Sequence, residues 1–315
     1  MNKILLIFIL LTYGKTFACL NGETRKLEDG TFLYEDYDGF VPHGHYFSNT
    51  EDLEKTISSL EKFYKTTKNL NYLSDKGYVL IVLGKYQEAI DLYKKIEAIQ
   101  PNRYSTASNI GTAYELIGNN PEALKWIEKS LKLNPDSHHN SEWIHANILK
   151  AKMKGEKYYT ADFILGFNSG NQTTPETKLS KRELQDLRQS LYYQLNERVS
   201  FVEPKEKIVA QLLFELGNIA YLLGDKDEAY DNYKLAEEYG YEGDLLEKRK
   251  KISAIPITKS IERKVIKEVK LQIRPSKHTT LLEAFISLIA LIFSGSLVFI
   301  FRKKIFSNLF QNNAS

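Results

Sequence analysis

Five histidines in two short groups are the first side chains in this 315-residue sequence with the chemistry to bind something. His43 and His45 flank Gly44, and His138, His139 and His145 gather around the start of a helix-like stretch at Trp143. Imidazole pairs this close in sequence are able to hold zinc or copper. Neither group offers a third ligand at a recognised spacing, so both read as ordinary loop or surface histidines and no metal or other cofactor is expected. Gly77 and Gly84-Lys85 lie too far apart for a phosphate loop, with six residues between the glycines and Tyr86 where a Ser or Thr is needed. No nucleophile elbow, zinc-protease helix or dinucleotide fingerprint is present, so an enzyme is not expected. Asn171-Gln172-Thr173 fits a glycosylation acceptor, which matters only on a eukaryotic secretory route.

What the glycines do instead emerges from their repetition. Gly77, Gly84 and Ala89 recur 34 positions later as Gly111, Gly118 and Ala123, and Gly217, Gly224 and Ala229 keep the same internal spacing. Pro101 and Pro135 close the first two copies. A fixed period of this size marks a solenoid whose units bury their apolar faces on one another. The first Gly and the Ala let two antiparallel helices approach closely, while the second Gly suits a left-handed helix end. The expected fold class is therefore all-α, a helical-repeat solenoid.

Gly77, Leu80, Gly84, Tyr86, Ala89, Tyr93 and Pro101 resemble the tetratricopeptide repeat pattern, as do Gly111, Tyr114, Gly118, Ala123 and Pro135. A third resemblance comes from Gly217, Gly224, Ala229, Tyr233 and Ala236, with Tyr241 in place of the terminal Pro. The resemblance implies a concave face lined by the first helix of each unit, where a protein partner docks. By register that groove holds Ser74, Tyr78 and Ile81, then Ser108, Thr112 and Glu115, then Phe214, Asn218 and Tyr221. The Lys and Asn of the family's carboxylate clamp are replaced by Ser74 and Tyr78 in the first unit, which argues against capture of a chain terminus there.

Around the repeats the expected organisation is as follows. Residues 19–50 are irregular or short-stranded, with turn signals at Asp29-Gly30 and Asp38-Gly39 and a small hairpin between them. Residues 51–69 form a capping helix with Leu53, Ile57, Leu60 and Tyr64 on one face, two repeats fill 70–137, and 210–243 is the last repeat. Residues 138–209 are a degenerate unit: a helix near Trp143, a long polar loop over 155–179, and a helix opened by the Ser180 and Glu183 capping box that pairs back with the Trp143 helix. Residues 244–280 read as a basic stalk, a solvated linker.

The two ends carry membrane signals. Residues 1–18 have one early lysine, a short apolar run and Thr16-Phe17-Ala18 before Cys19, the layout of a cleaved export signal. Cys19 is the only cysteine, so no intrachain disulfide forms, and its place after Ala18 leaves lipidation as the alternative to ordinary cleavage. Residues 284–301 carry no charge, and eighteen residues of helix reach about 27 Å. A single transmembrane helix is expected over 281–301, with 302–315 as a cytoplasmic tail that opens on Arg302, Lys303 and Lys304.

A net charge of +3 spread over the whole chain argues against a nucleic-acid partner. The function expected is a membrane-anchored scaffold that binds a protein partner on the exported side, which is the periplasm if the source is bacterial. The alternative is an assembly or signalling subunit acting through its membrane helix, with Ser294-Gly295-Ser296 as a small-residue face for a homo-oligomer.

Overall fold

The computed structural model describes residues 26–35 and 39–254, the side chains of Glu35 and His139 excepted. These belong to one compact unit, and residues 255–315 lie outside the described residues. The export signal at 1–18, Cys19, the remainder of the stalk at 255–280, the membrane helix at 281–301 and the tail at 302–315 all fall outside them. Among the described residues no helix is long and apolar enough to cross a membrane.

Each helix starts and stops for a local reason. Helix α1 (Thr50–Thr67) opens on Asn49, whose side chain accepts a hydrogen bond from the Asp52 N–H, and Leu53 and Leu60 turn inward. The repeats follow as α2 (Leu70–Val82) with α3 (Tyr86–Ile99), α4 (Tyr104–Leu116) with α5 (Asn120–Leu133), and α10 (Lys207–Leu223) with α11 (Lys226–Glu238). The first helix of each pair ends the same way. The Gly84 N–H bonds to the Ile81 carbonyl and the Lys85 N–H to that of Leu80, with Gly84 at φ +72°. Asn119 and Asp225 repeat the second of these bonds on Tyr114 and Ala220. This is a Schellman end, and only a residue without a Cβ enters it freely.

The other glycine sets how closely the pair packs. A Cβ on Gly77 would stand 2.5 Å from the Tyr93 ring, and on Gly217 2.5 Å from that of Tyr233. Those rings are buried, and their hydroxyls donate to the Ser74 carbonyl and to Asn218 Oδ1, both at 2.8 Å. The small residue therefore makes room for a tyrosine that ties the two helices together.

Between the second and last repeats come α6 (Ser137–Asn140), α7 (Glu142–Lys154), α8 (Ala161–Leu165) and α9 (Lys181–Val199). Helix α7 stacks on α5 with Ile144, Ile148 and Leu149 buried and Trp143 half-buried. The stretch expected as a polar loop is partly helical, because Ile164, Leu165 and Phe167 have an apolar neighbour to pack on. Helix α9 opens with the Ser180 and Glu183 capping box, and it packs more on α10 than on α7.

One further segment differs from expectation. Residues 244–253 are not stalk but helix α12 (Asp244–Ser253), docked on α11 with Leu246, Arg249 and Ser253 buried. The N-terminal residues form a two-stranded antiparallel sheet of β1 (Tyr34–Glu35) and β2 (Tyr46–Phe47), and Leu27, Leu33 and Tyr34 join the core of the first repeats.

Candidate functional site

The groove residues lie on first helices as their register requires, yet most are covered. Ser74, Tyr78, Ile81, Ser108, Phe214 and Asn218 are buried, while Thr112, Glu115 and Tyr221 keep partial exposure. An exposed aromatic groove is therefore corrected at Tyr78 and Phe214. Three parts of the same chain cover it.

The first cover is α9, which lies across the first helices of the repeats. Its Arg198 reaches Glu115 on α4, its Gln194 donates to Ser141 Oγ at 3.0 Å, and Tyr193 stacks on His138. The second is the N-terminal segment. Tyr34 lies close enough to Tyr78 to act on its hydroxyl, whose pKa is pushed well up by burial and then by Tyr34 and Glu197. The third is the loop after α8, which closes the last unit.

That loop is pinned from α12. Arg249 is 0% exposed and donates to Ser169 Oγ at 2.8 Å, the Ser169 carbonyl at 3.3 Å and the Gln172 carbonyl at 3.1 Å, while its guanidinium lies 5.2 Å from the Phe214 ring centre. Ser169 in turn donates to Glu215 and accepts from Asn218. Burial raises the Glu215 carboxyl, partly offset by hydrogen bonds from Asn218 and Ser169 and by the Arg249 charge.

At the second unit the concave face stays partly open. A cleft of about 330 Å³ is lined by Thr112, Glu115, Leu116 and Lys152 on one side and by Arg198, Phe201 and Val202 on the other. Its floor is a charge network centred on Glu115, whose side chain is 8% exposed. Arg198 bonds both carboxylate oxygens at 2.8 and 3.2 Å, Lys152 Nζ is at 2.8 Å and His145 Nε2 at 2.6 Å. Burial alone would raise this carboxyl, but Arg198, Lys152 and His145 outweigh it and hold it well below the usual range. Burial likewise opposes charge on His145, and Glu115 overrides it, so the imidazole titrates higher than an ordinary histidine. Beneath it Glu142, fully buried and bonded to His138 Nδ1 at 2.7 Å, is also held low because His138 and His145 outweigh its burial.

His138 and His145 are thus bonded to glutamates. His45 joins them from the N-terminal segment, with Nε2 at 2.7 Å from Glu197 Oε1 on α9. Among the described residues no group of three His, Cys, Asp or Glu side chains is placed to hold a metal ion.

Asp75 on α2 is the opposite case. Its Oδ2 accepts from the Glu28 N–H at 2.6 Å, its Oδ1 has no hydrogen-bond partner among the described residues, and it is 1% exposed. Burial pushes its pKa from the ordinary 3.8 up to about 7. A raised acid pKa means that the folded chain holds a proton the unfolded chain has lost, so Asp75 costs stability as pH rises from about 4 to about 7. Asp75→Asn removes that cost. Comparing denaturant midpoints, the variant should gain on the wild type by about 2 kcal/mol or more between pH 5 and pH 8. A gap that does not change with pH would show that the carboxyl is already ionised at pH 5.

Residues 105–137, almost the whole of α4 and α5 with the following turn, match the tetratricopeptide repeat model. That one helix pair is similar to a tetratricopeptide repeat. A solved tetratricopeptide repeat protein from Parabacteroides merdae ATCC 43184 is 18% identical over 64% of this chain and 93% of that chain, with a TM-score of 0.32. No curated protein matches. Tetratricopeptide repeats generally mediate protein–protein interaction, and in this chain the face formed by the first helix of each pair is largely occupied from within.

No sequence signal marked that occupation directly. Arg198, Lys152 and His145 converge on Glu115 from two helices, at separations of 83, 37 and 30 residues. The one available hint was polar: Gln194, Asn196, Glu197 and Arg198 follow each other on α9, and all four are buried.

Proposed function

We propose that the protein is a non-enzymatic scaffold that holds a protein partner on the concave side of its tetratricopeptide repeats, at the cleft between α4, α7 and the end of α9. The observation that carries this reading is the cleft itself, where Thr112, Leu116, Phe201 and Val202 leave apolar and small polar surface open beside a fixed charge network. Such a mixture suits a partner that inserts an apolar anchor and satisfies its polar rim on Lys152 and Glu203. The export signal at 1–18 and the uncharged run at 284–301 support placing this scaffold on the exported side of a membrane, held by one span.

A photo-crosslinking residue placed at Thr112 and, separately, at the exposed Lys95 of α3 tests the reading in cells. Discrete protein adducts from position 112 and none from position 95 are expected. Equal labelling from both, or none from position 112, would remove the cleft as the docking place.

A further inference from the structure

Residues 39–45 lie on the repeat unit as an extended peptide would lie on a receptor. The Asn196 Oδ1 accepts the N–H groups of His43 at 3.2 Å and Gly44 at 3.0 Å, and Ser200 Oγ accepts that of His45 at 2.8 Å. At the other end Asn232 Nδ2 of α11 donates to the Phe40 carbonyl at 3.2 Å, and the Arg188 guanidinium covers the Phe40 ring at 4.1 Å. Most of these bonds go to main chain, which gives affinity without demanding a sequence.

Two positions do demand one. Gly44 has φ +73°, and a Cβ there would stand 3.2 Å from the Ser200 backbone. The His45 ring is held between the Tyr34 ring, 4.0 Å away, and Glu197.

The segment differs in kind from what precedes it. Leu27, Leu33 and Tyr34 belong to the apolar core, whereas neither Phe40 nor Val41 does. Residues 39–45 are therefore held by hydrogen bonds and ring contacts that local opening can break while the core stays folded.

We propose that residues 39–45 are an internal ligand, and that the track they occupy on α9 and α11 is a binding surface for an extended segment of a partner protein carrying an aromatic residue followed four and five positions later by Gly-His. The inference rests on the scaffold reading above and adds the class of peptide recognised. The internal copy competes with that partner, so the track is open only in the fraction of molecules that have released it.

Hydrogen exchange on the wild-type full chain gives the first test. The amides of His43, Gly44 and His45 are expected to exchange at least about 100-fold faster than those of α4 and α10. Exchange at the core rate would make the segment part of the fold and overturn the proposal.

The second test titrates a labelled peptide, Gly-Phe-Val-Pro-His-Gly-His, onto the full chain. A Gly44→Ala chain, whose own copy no longer fits against Ser200, should bind it at least about tenfold more tightly than the wild type, and adding Asn196→Ala should abolish the binding. A folded Gly44→Ala chain that ignores the peptide overturns the proposal. Failure of that variant to fold does so equally, because a releasable segment cannot be required for the fold. Adducts at Thr112 without peptide binding would leave the scaffold standing and remove the track, and peptide binding without adducts would keep the track and remove the cleft as the docking place.

Discussion

Glutamine in place of Glu115 is expected to lower the unfolding free energy by about 3–5 kcal/mol, although it changes neither the length nor the shape of the side chain. Arg198, Lys152 and His145 all direct their charge at this one carboxylate, and α9 has brought Arg198 into a site where it is 8% exposed. Removing the negative charge leaves two permanent cations facing each other without the carboxylate between them, and His145 loses the partner that held its proton against burial. The loss should depend on pH. The depressed Glu115 pKa makes its contribution fully present above the ordinary glutamate range and lost as pH falls through the folded value. Chemical denaturation of wild type and Glu115→Gln at pH 7 and pH 3 checks this: a large gap at pH 7 that narrows in acid is expected. A gap below about 1 kcal/mol at pH 7 would mean that water already screens the network.

Arg249→Met should cost about 3 kcal/mol or more, and it should act on a particular segment. Methionine fills similar space and keeps a contact with Phe214, but it donates nothing to Ser169, Gly170 or Gln172. Residues 166–179 then lose the bonds by which Arg249 joins them to α12, and Phe214 and Asn218 beneath them gain access to water. Limited proteolysis should show new cleavage inside 166–179, together with a lower melting temperature. A variant that melts early with no new cleavage would mean that Arg249 stabilises α12 alone and not the loop.

These two residues also show where a sequence stops being readable. The repeat frame was legible because close helix approach demands a small residue at Gly77, Gly111 and Gly217, and a left-handed helix end demands Gly84, Gly118 and Gly224. Both are local requirements written at fixed offsets. The Ser180 capping box was legible for the same reason. Arg249 was not, because in the run Lys248 to Lys251 every residue has the same charge and nothing local says which one turns inward. Nor could register alone show that Tyr78 and Phe214 are buried. It places them on the concave side, while what covers them comes from residues 33–34, 169–172 and 181–199. Helix α9 was readable as a helix with a leucine stripe, but its opposite face is polar and still buried, and periodicity treats a polar face as solvated.

The inward placement of α9 changes how the repeat unit should come apart. In an open array each unit touches only its neighbours, so turns separate one at a time, as in a spring pulled from its end. Here Arg198 meets Glu115 across 83 positions, and Arg249 meets Ser169 across 80. Such ties cross several turns at once, and none of the turns between them can open without breaking one. Forming them requires long loops to close first, which slows folding, and breaking them is shared by the whole unit. The repeats are thereby cinched from within, and their melting becomes a single cooperative event instead of an unzipping.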